Sequence, residues 1–350
     1  MVDSQPISVV IPSFQGGARL HLILQALTAQ TTPDDEILVI DDCSTDDTAE
    51  VARRFGATVH TMAVNSGVGR CRNEGLRRAK YDIQAFFDDD VIPLEGYLDA
   101  VRGRFADPEV MICQGPHTPE PVLPNPDIWE QAEAIMWHHS LTTKWVRKGR
   151  CSTLYSGHFC VRRPFLLEVG LFREDFGRAG GEEFEIAGRI LQRATIVYAP
   201  ELLSRHQPKS LWPRIRAIFY RAQFYKRVFK GNTAQDRAIL TDKIRFVLAG
   251  LIPISAALAV YDARLLDGLT AVVLIYIVAN GALLFNLLRW KRFRFIPILL
   301  VMRLLQYWAI GLGMSVGVLR WVGNSVKRLT LKDSGGVAED EGAARRAGKD

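Results

Sequence analysis

Residues Ile83–Pro93 read IQAFFDDDVIP, an apolar run that ends abruptly in Asp88, Asp89 and Asp90. Ile83–Phe87 fits a short buried strand. Three adjacent carboxylates at its end repel one another and call for something that neutralises them. A divalent cation bridging diphosphate oxygens does so through hard oxygen ligands, and it stabilises charge on a departing diphosphate. Alone, the triplet is equally well a solvated acidic turn, so its neighbours must decide.

Working outward, Ile7–Ile11 (ISVVI) is a β-branched run closed by Pro12 and Ser13, and Glu36–Ile40 (EILVI) runs into Asp41 and Asp42. Thr58–Met62 reads as a third strand. Between the strands, Leu20, Ile23, Leu24 and Leu27 share a helical face, Ser44–Asp47 caps a helix through Phe55, and Arg70–Lys80 reads as a helix. Strands alternating with helices at this spacing predict βαβ units and a parallel sheet, an α/β fold. Ligands in such sheets bind beyond the C-terminal strand ends. Pro12-Ser13, Asp41-Asp42 and Asp88–Asp90 all fall there. Downstream, prolines between Pro116 and Pro126 mark a loop, Ile128–Trp145 and Glu182–Gln192 read as helices, and Ser156–Val161 and Thr195–Tyr198 as strands.

These pieces together (ISVVIPSFQGG, EILVIDDCSTDDT, NSGVGRCRNEGLRRA and IQAFFDDDVIP, followed by GHFCVRRPFLLEVGLF and GEEFEIAGR) resemble the inverting family 2 glycosyltransferases of GT-A fold, over residues 6–230. The resemblance implies a Rossmann-like domain that binds a nucleotide-diphosphate sugar. Pro12, Ser13 and Phe14 would line the nucleotide pocket. Asp42 would contact the base, normally uracil, with Asp41 beside it, and Asn65, Gly67 and Arg70 would follow the nucleotide. Asp88-Asp89-Asp90 resembles the DxD motif, with Asp90 on a Mn2+ or Mg2+ ion and Asp88 or Asp89 on ribose or metal. Glu183 or Glu182 stands at the position of the general base, where relatives usually carry Glu-Asp. As residues, both equally suit a helix N-terminus. His206 occupies a place where relatives carry a metal-binding His, and imidazole is a normal ligand for such ions. A lone surface His is the other reading. His158, where relatives carry a small residue, either shapes acceptor choice or packs.

The net charge of +6 suits nucleic acid, anionic lipid or a phosphate-bearing substrate. Its placement favours the membrane: Arg and Lys gather at 205–245 and 289–294, beside apolar runs. Five cysteines without a CxxC pair argue against a disulfide framework or zinc site. The first residues lack the basic and apolar regions of a secretory leader, so the catalytic half is expected in the cytoplasm at the inner or plasma membrane. Phe246–Tyr261 is interrupted by Pro253; Leu269–Leu288 is long enough to cross a bilayer; Phe295–Leu319 is longer but contains Arg303 and Gln306. Basic residues Lys243, Arg245 and Arg289–Arg294 flank them on what reads as the cytoplasmic side, with Asp262–Asp267 outside.

The chain thus divides into a catalytic domain (1–205), a basic amphipathic interfacial region with interleaved aromatics (206–245), two or three transmembrane helices (246–320) and an unstructured polar tail (321–350). The expected function is sugar transfer to a hydroxyl of a membrane lipid, polyprenyl-linked glycan or polysaccharide, with no nucleic-acid partner. A nucleotidyltransferase would want a Gly-rich, Lys/Arg-bearing loop after the first strand, which PSFQGGARL matches poorly. A non-catalytic membrane scaffold would dispense with the acidic residues, all of which are present.

Overall fold

The computed structural model describes residues 5–176, 181–223 and 236–344. Strand β1 (Ile7–Ser13) is buried along its length. Ile7, Val9 and Ile11 join a cluster with Leu20, Ile23, Leu24 and Leu27 of α1 (Gly17–Thr28), whereas Val10 faces the opposite cluster. Successive side chains of a strand point to opposite faces, so an all-apolar strand needs cover on both. The next elements are β2 (Glu36–Asp41), α2 (Thr48–Arg54), β3 (Thr58–Thr61), α3 (Val68–Arg78), β4 (Ile83–Phe87), β5 (Val91–Pro93), α4 (Tyr97–Phe105) and β6 (Ile112–Gln114). There follow α5 (Ile128–His139), β7 (Val146–Arg147), β8 (Arg150–Cys151), β9 (His158–Arg162), α6 (Arg163–Val169), α7 (Glu182–Leu191), β10 (Ile196–Tyr198), β11 (Ser204–His206) and α8 (Leu211–Ala222). Helices α1, α2 and α4 cover one face of the sheet; α3, α6 and α7 cover the other. Each fully buried Leu or Ile contributes about 1.5–3 kcal/mol.

The sheet has nine strands in the order β3-β2-β1-β4-β9-β6-β10-β8-β7. The expected parallel arrangement holds for β1–β4; β9 is antiparallel to both β4 and β6, so the whole sheet is mixed. The start of β9 lies beside the end of β4, where Asp88 N–H donates to the Gly157 carbonyl at 2.8 Å. A strand that begins there must run back along its neighbour. Register places Ser13 opposite Asp41 and Val10 opposite Phe86, which aligns the three acidic or polar strand ends along one edge. A two-stranded ribbon of β5 and β11 sits below that edge, pairing His206 with Val91.

Beyond the domain, two helical stretches are long and apolar enough to cross a membrane, Lys243–Tyr261 and Phe295–Arg320. The stretch expected to be long enough to cross, Leu269–Leu288, lies in a bent pair, Ala263–Ala279 and Gly281–Arg289, which meet at 60° and make a third span if taken together. The break carries polar contacts from neighbouring helices. Asn280 is fully buried and bonds Arg303 Nη1 through Oδ1 at 2.6 Å, while Arg245 Nε donates to the Ala279 carbonyl at 2.8 Å. Carbonyls at a helix C-terminus lack intrahelical partners, and Arg245 supplies one a donor. Arg303 therefore faces protein. After the break, Leu283 and Leu287 pack with Ile135 and Met136 of α5, and Asn286 bonds His139 at 2.9 Å. The final helix runs Phe295–Ala344, so the backbone of 321–344, expected as an unstructured tail, continues it.

Helix α8 opens the region expected to lie in a membrane interface. It packs against the final helix, where Gly313 and Gly317 meet the backbone of Phe219 and Gln223 so closely that a Cβ at either glycine would collide with it. Small residues four apart permit such an approach. Trp212 and Tyr220 stay exposed. The aromatic and basic residues Phe224–Lys230 lie outside the described residues.

Candidate active site

The strand ends enclose a cleft of about 210 Å³ lined by Pro12, Ser13, Phe14, Asp42, Val68, Cys71 and Asp88–Asp90. The Asp42 carboxylate is fixed from below by the N–H groups of Ser66 (2.7 Å) and Gly67 (2.8 Å), and Asn65 Nδ2 donates to its carbonyl. Gly67, at φ +94, makes the turn that delivers these donors and starts α3. Asp41 accepts from Ser44 N–H and Thr61 Oγ1. Pro12, Ser13, Phe14 and Asp42 thus come together at the cleft, while Asp41, Asn65 and Gly67 support it from outside its lining. Phe14 stands exposed at the rim.

Each member of the acidic triplet has a different partner. Asp88 Oδ1 takes Arg72 Nη2 at 2.6 Å. Asp89 takes Ser13 Oγ at 2.7 Å and Arg19 Nη2 at 3.1 Å. Asp90 faces His206 Nε2 at 3.7 Å. Burial, and then the neighbouring Asp90 charge, raises Asp89 to about 6 against the pull of Arg19 and Ser13. Burial, and then Asp88, raises Asp90 to about 7. Crowded carboxylates partly withdrawn from water favour the neutral acid.

Arg72 is the residue that sequence reasoning missed. It is almost wholly buried and also donates Nη1 to Glu182 Oε1 at 2.8 Å, so one guanidinium joins the acidic strand end to the start of α7. Burial works to lower its pKa, and the carboxylates of Asp88, Glu182 and Glu183 outweigh it. Arg70, the expected nucleotide contact, is half exposed and points to Glu174 at 3.8 Å, away from the cleft lining. Residues two apart on a helix lie on different faces. The signal was present: Arg72 stands four before the buried Leu76, on the inward stripe.

Glu182 is buried, its Oε2 has no hydrogen-bond partner, and burial with the adjacent Glu183 raises it to about 7 despite Arg72. Glu183 is half-buried, with Oε2 accepting the Gly181 N–H at 2.9 Å. Gly181, at φ +110, turns the chain into α7.

Behind His206 lies an aromatic column that the sequence did not announce. His117 stacks on His206 at 5.2 Å and 18°, and meets His158 at 4.6 Å with a tilt of 31°. Ser204 Oγ bonds His117 Nδ1 at 2.8 Å, and Tyr97 OH meets His158 Nδ1 at 3.0 Å. His158 is therefore packed inside. Burial holds all three rings neutral, His206 down to about 4 and His158 to about 3.

Among the described residues, no three His, Cys, Asp or Glu side chains form a ready cage for a metal ion. Asp90 and His206 nonetheless suit a divalent cation: a carboxylate faces a neutral imidazole whose Nδ1 is buried without a hydrogen-bond partner. Two protein ligands leave room for diphosphate oxygens.

Residues 8–174 match glycosyl transferase family 2. An uncharacterised glycosyltransferase of Haemophilus influenzae is 35% identical over 85 residues, 24% of this chain and 29% of that protein. Validoxylamine A glucosyltransferase of Streptomyces hygroscopicus subsp. limoneus is 29% identical over 217 residues, 53% of this chain and 47% of that protein. The chain thus spans less than half the length of either. In structure it is similar to a mannosyltransferase of Pyrobaculum calidifontis determined with GDP-Man and Mn2+, with a TM-score of 0.54 and 17% identity, over 88% of this chain and 86% of that one. The shared architecture is the GT-A fold.

Proposed function

We propose that this chain, whose residues 8–174 form a glycosyl transferase family 2 domain, moves a sugar from a nucleoside diphosphate donor, UDP-linked by preference, to a hydroxyl of a membrane-associated lipid or glycan. The observation that carries the reading is the Arg72 bridge, which ties the acidic strand end to the paired glutamates of α7. Donor-side and acceptor-side groups thereby share one centre.

The base and ribose would sit between Phe14 and Asp42, and Asp89, held by Ser13 and Arg19, would face the ribose or diphosphate. Asp90 and His206 would hold a divalent cation, which when bound neutralises charge on the departing diphosphate. Glu183 is the general base. Its carboxylate is more accessible than that of Glu182, which is committed to Arg72. The acceptor oxygen bonds to the anomeric carbon as its proton passes to Glu183, and the bond to the diphosphate breaks with its electron pair on the leaving group. A single displacement of this kind inverts the anomeric centre and needs one base.

The acceptor is placed at a membrane because exposed large apolar residues, among them Val247, Leu258, Val260, Val278 and Leu319, are concentrated on the C-terminal helices. Such surfaces bury themselves in lipid or protein. The turn Arg289–Arg294 is joined to the catalytic domain by Arg292–Glu120 (2.5 Å) and Arg294–Gln131 (3.3 Å). That contact supports one cytoplasmic side for both, as the charge pattern predicts.

The test is a panel of UDP- and GDP-sugars with Mn2+ or Mg2+, with native membranes as acceptor, scored for diphosphate release. One donor should be consumed only when acceptor is present. Glu183→Gln should bind that donor normally and lose about 100-fold or more in turnover. Consumption of no donor defeats the reading, and an active Glu183→Gln defeats the base assignment.

A further inference from the structure

We propose that His117 is a positioning residue that holds the His206 imidazole in the orientation a metal ion requires. This rests on the reading of Asp90 and His206 as the cation's protein ligands. A metal-binding imidazole is ordinarily aimed by a hydrogen bond from its second ring nitrogen to a carboxylate, carbonyl or water. His206 has no such bond: its Nδ1 is buried and has no partner. Rings hold it instead. His117 lies against one face at 5.2 Å and 18°, and Trp137 meets it edge-on at 6.2 Å and 76°.

His117 can act as a fixed plate because it is fastened to the same strand that carries His206. Ser204 and His206 are two apart on β11 and share a face. The His117 ring bonds Ser204 Oγ and stacks on His206, gripping both side chains of that face. The backbones are locked in register as well: Ser204 N–H donates to the Pro116 carbonyl and Thr118 N–H to the Ser204 carbonyl at 2.8 Å. His158 packs against the ring at 4.6 Å with a tilt of 31°, and Tyr155 meets it edge-on at 4.9 Å. A ring so enclosed has little freedom to rotate, and it transmits that restriction to His206.

The experiment measures Mn2+ affinity of the full-length protein by electron paramagnetic resonance, with and without UDP, beside metal-free UDP binding and the melting temperature. His117→Ala should weaken Mn2+ by about tenfold or more, the scale of lost outer-shell support, with metal-free UDP binding unchanged. His117→Phe keeps a stacking plate and should restore most of the affinity. Ser204→Ala, which releases the plate without removing it, should give a smaller loss, and it decides the matter if His117→Ala does not fold. Wild-type Mn2+ affinity in a folded His117→Ala, or in Ser204→Ala where His117→Ala fails to fold, overturns the proposal. So does a His117→Phe as weak as the alanine variant. His206→Ala separates the two readings: if it leaves Mn2+ affinity unchanged, the ligand assignment itself fails. If it weakens Mn2+ while the His117 variants do not, only the positioning role falls.

Discussion

The cleft at the strand ends and the break at Asn280 are both built around arginine, for opposite purposes. Arg72 is wedged between two carboxylates, Asp88 and Glu182, in a site that still concentrates more acid than it neutralises. Arg303 and Arg245 reach a neutral amide and a carbonyl, and their work is to satisfy polar groups left over where a helix stops. The first arrangement leaves charge in reserve for a ligand; the second completes its own hydrogen bonding. A buried arginine by itself therefore says little about catalysis. What it faces decides.

Removing Arg72 should have the largest effect. Arg72→Met leaves two carboxylates without their shared cation, and breaking a buried pair in this way costs about 3–5 kcal/mol. Calorimetry of the purified full-length protein should show the catalytic domain melting far earlier, with transfer lost. If the variant melts like wild type, Arg72 is not the strut described.

Asp90→Asn probes the surplus charge rather than the strut. Turnover should fall by about 100-fold or more, the scale seen when one group stabilising transition-state charge is removed. The melting temperature should hold or rise, because a crowded carboxylate has gone. Near-normal turnover at saturating Mn2+ would remove Asp90 from the metal site.

At the other end, Asn280→Leu takes away the Oδ1 acceptor of Arg303 and should cost about 1.5–3 kcal/mol in detergent, the scale of one hydrogen bond to a charged group. Donor binding should be unaffected, since the break lies outside the cleft. A change in donor affinity would show that the two regions are coupled.

Glu182 is read through pH. The folded-state pKa of Glu182 is raised from 4.5 to about 7. Its neutral form therefore contributes stability that is complete below about pH 4.5 and is lost as pH rises through about 7. Glu182→Gln should flatten that part of the melting-temperature profile between pH 5 and 8. An unchanged slope would mean that Glu182 ionises as freely as in the unfolded chain.

Sequence alone determined the strand ends and the acids gathered there. Ile7–Ser13, Glu36–Asp41 and Ile83–Phe87 are short runs of local apolar pattern, and an α/β sheet places ligands beyond their C-termini whatever the details. Pro12, Ser13, Asp42 and Asp88–Asp90 follow from that rule, because each is adjacent in sequence to a strand that is legible by itself. Tertiary structure decided what depends on residues far apart. Arg72 reaches Glu182 across 110 positions, His117 reaches Ser204 across 87, and Arg303 reaches Asn280 from another helix. The Leu269–Leu288 run looked continuous because hydropathy records only the affinity of side chains for lipid. At the bend, two other helices supply what the run lacks: Arg245 donates to the free Ala279 carbonyl and Arg303 to the Asn280 side chain.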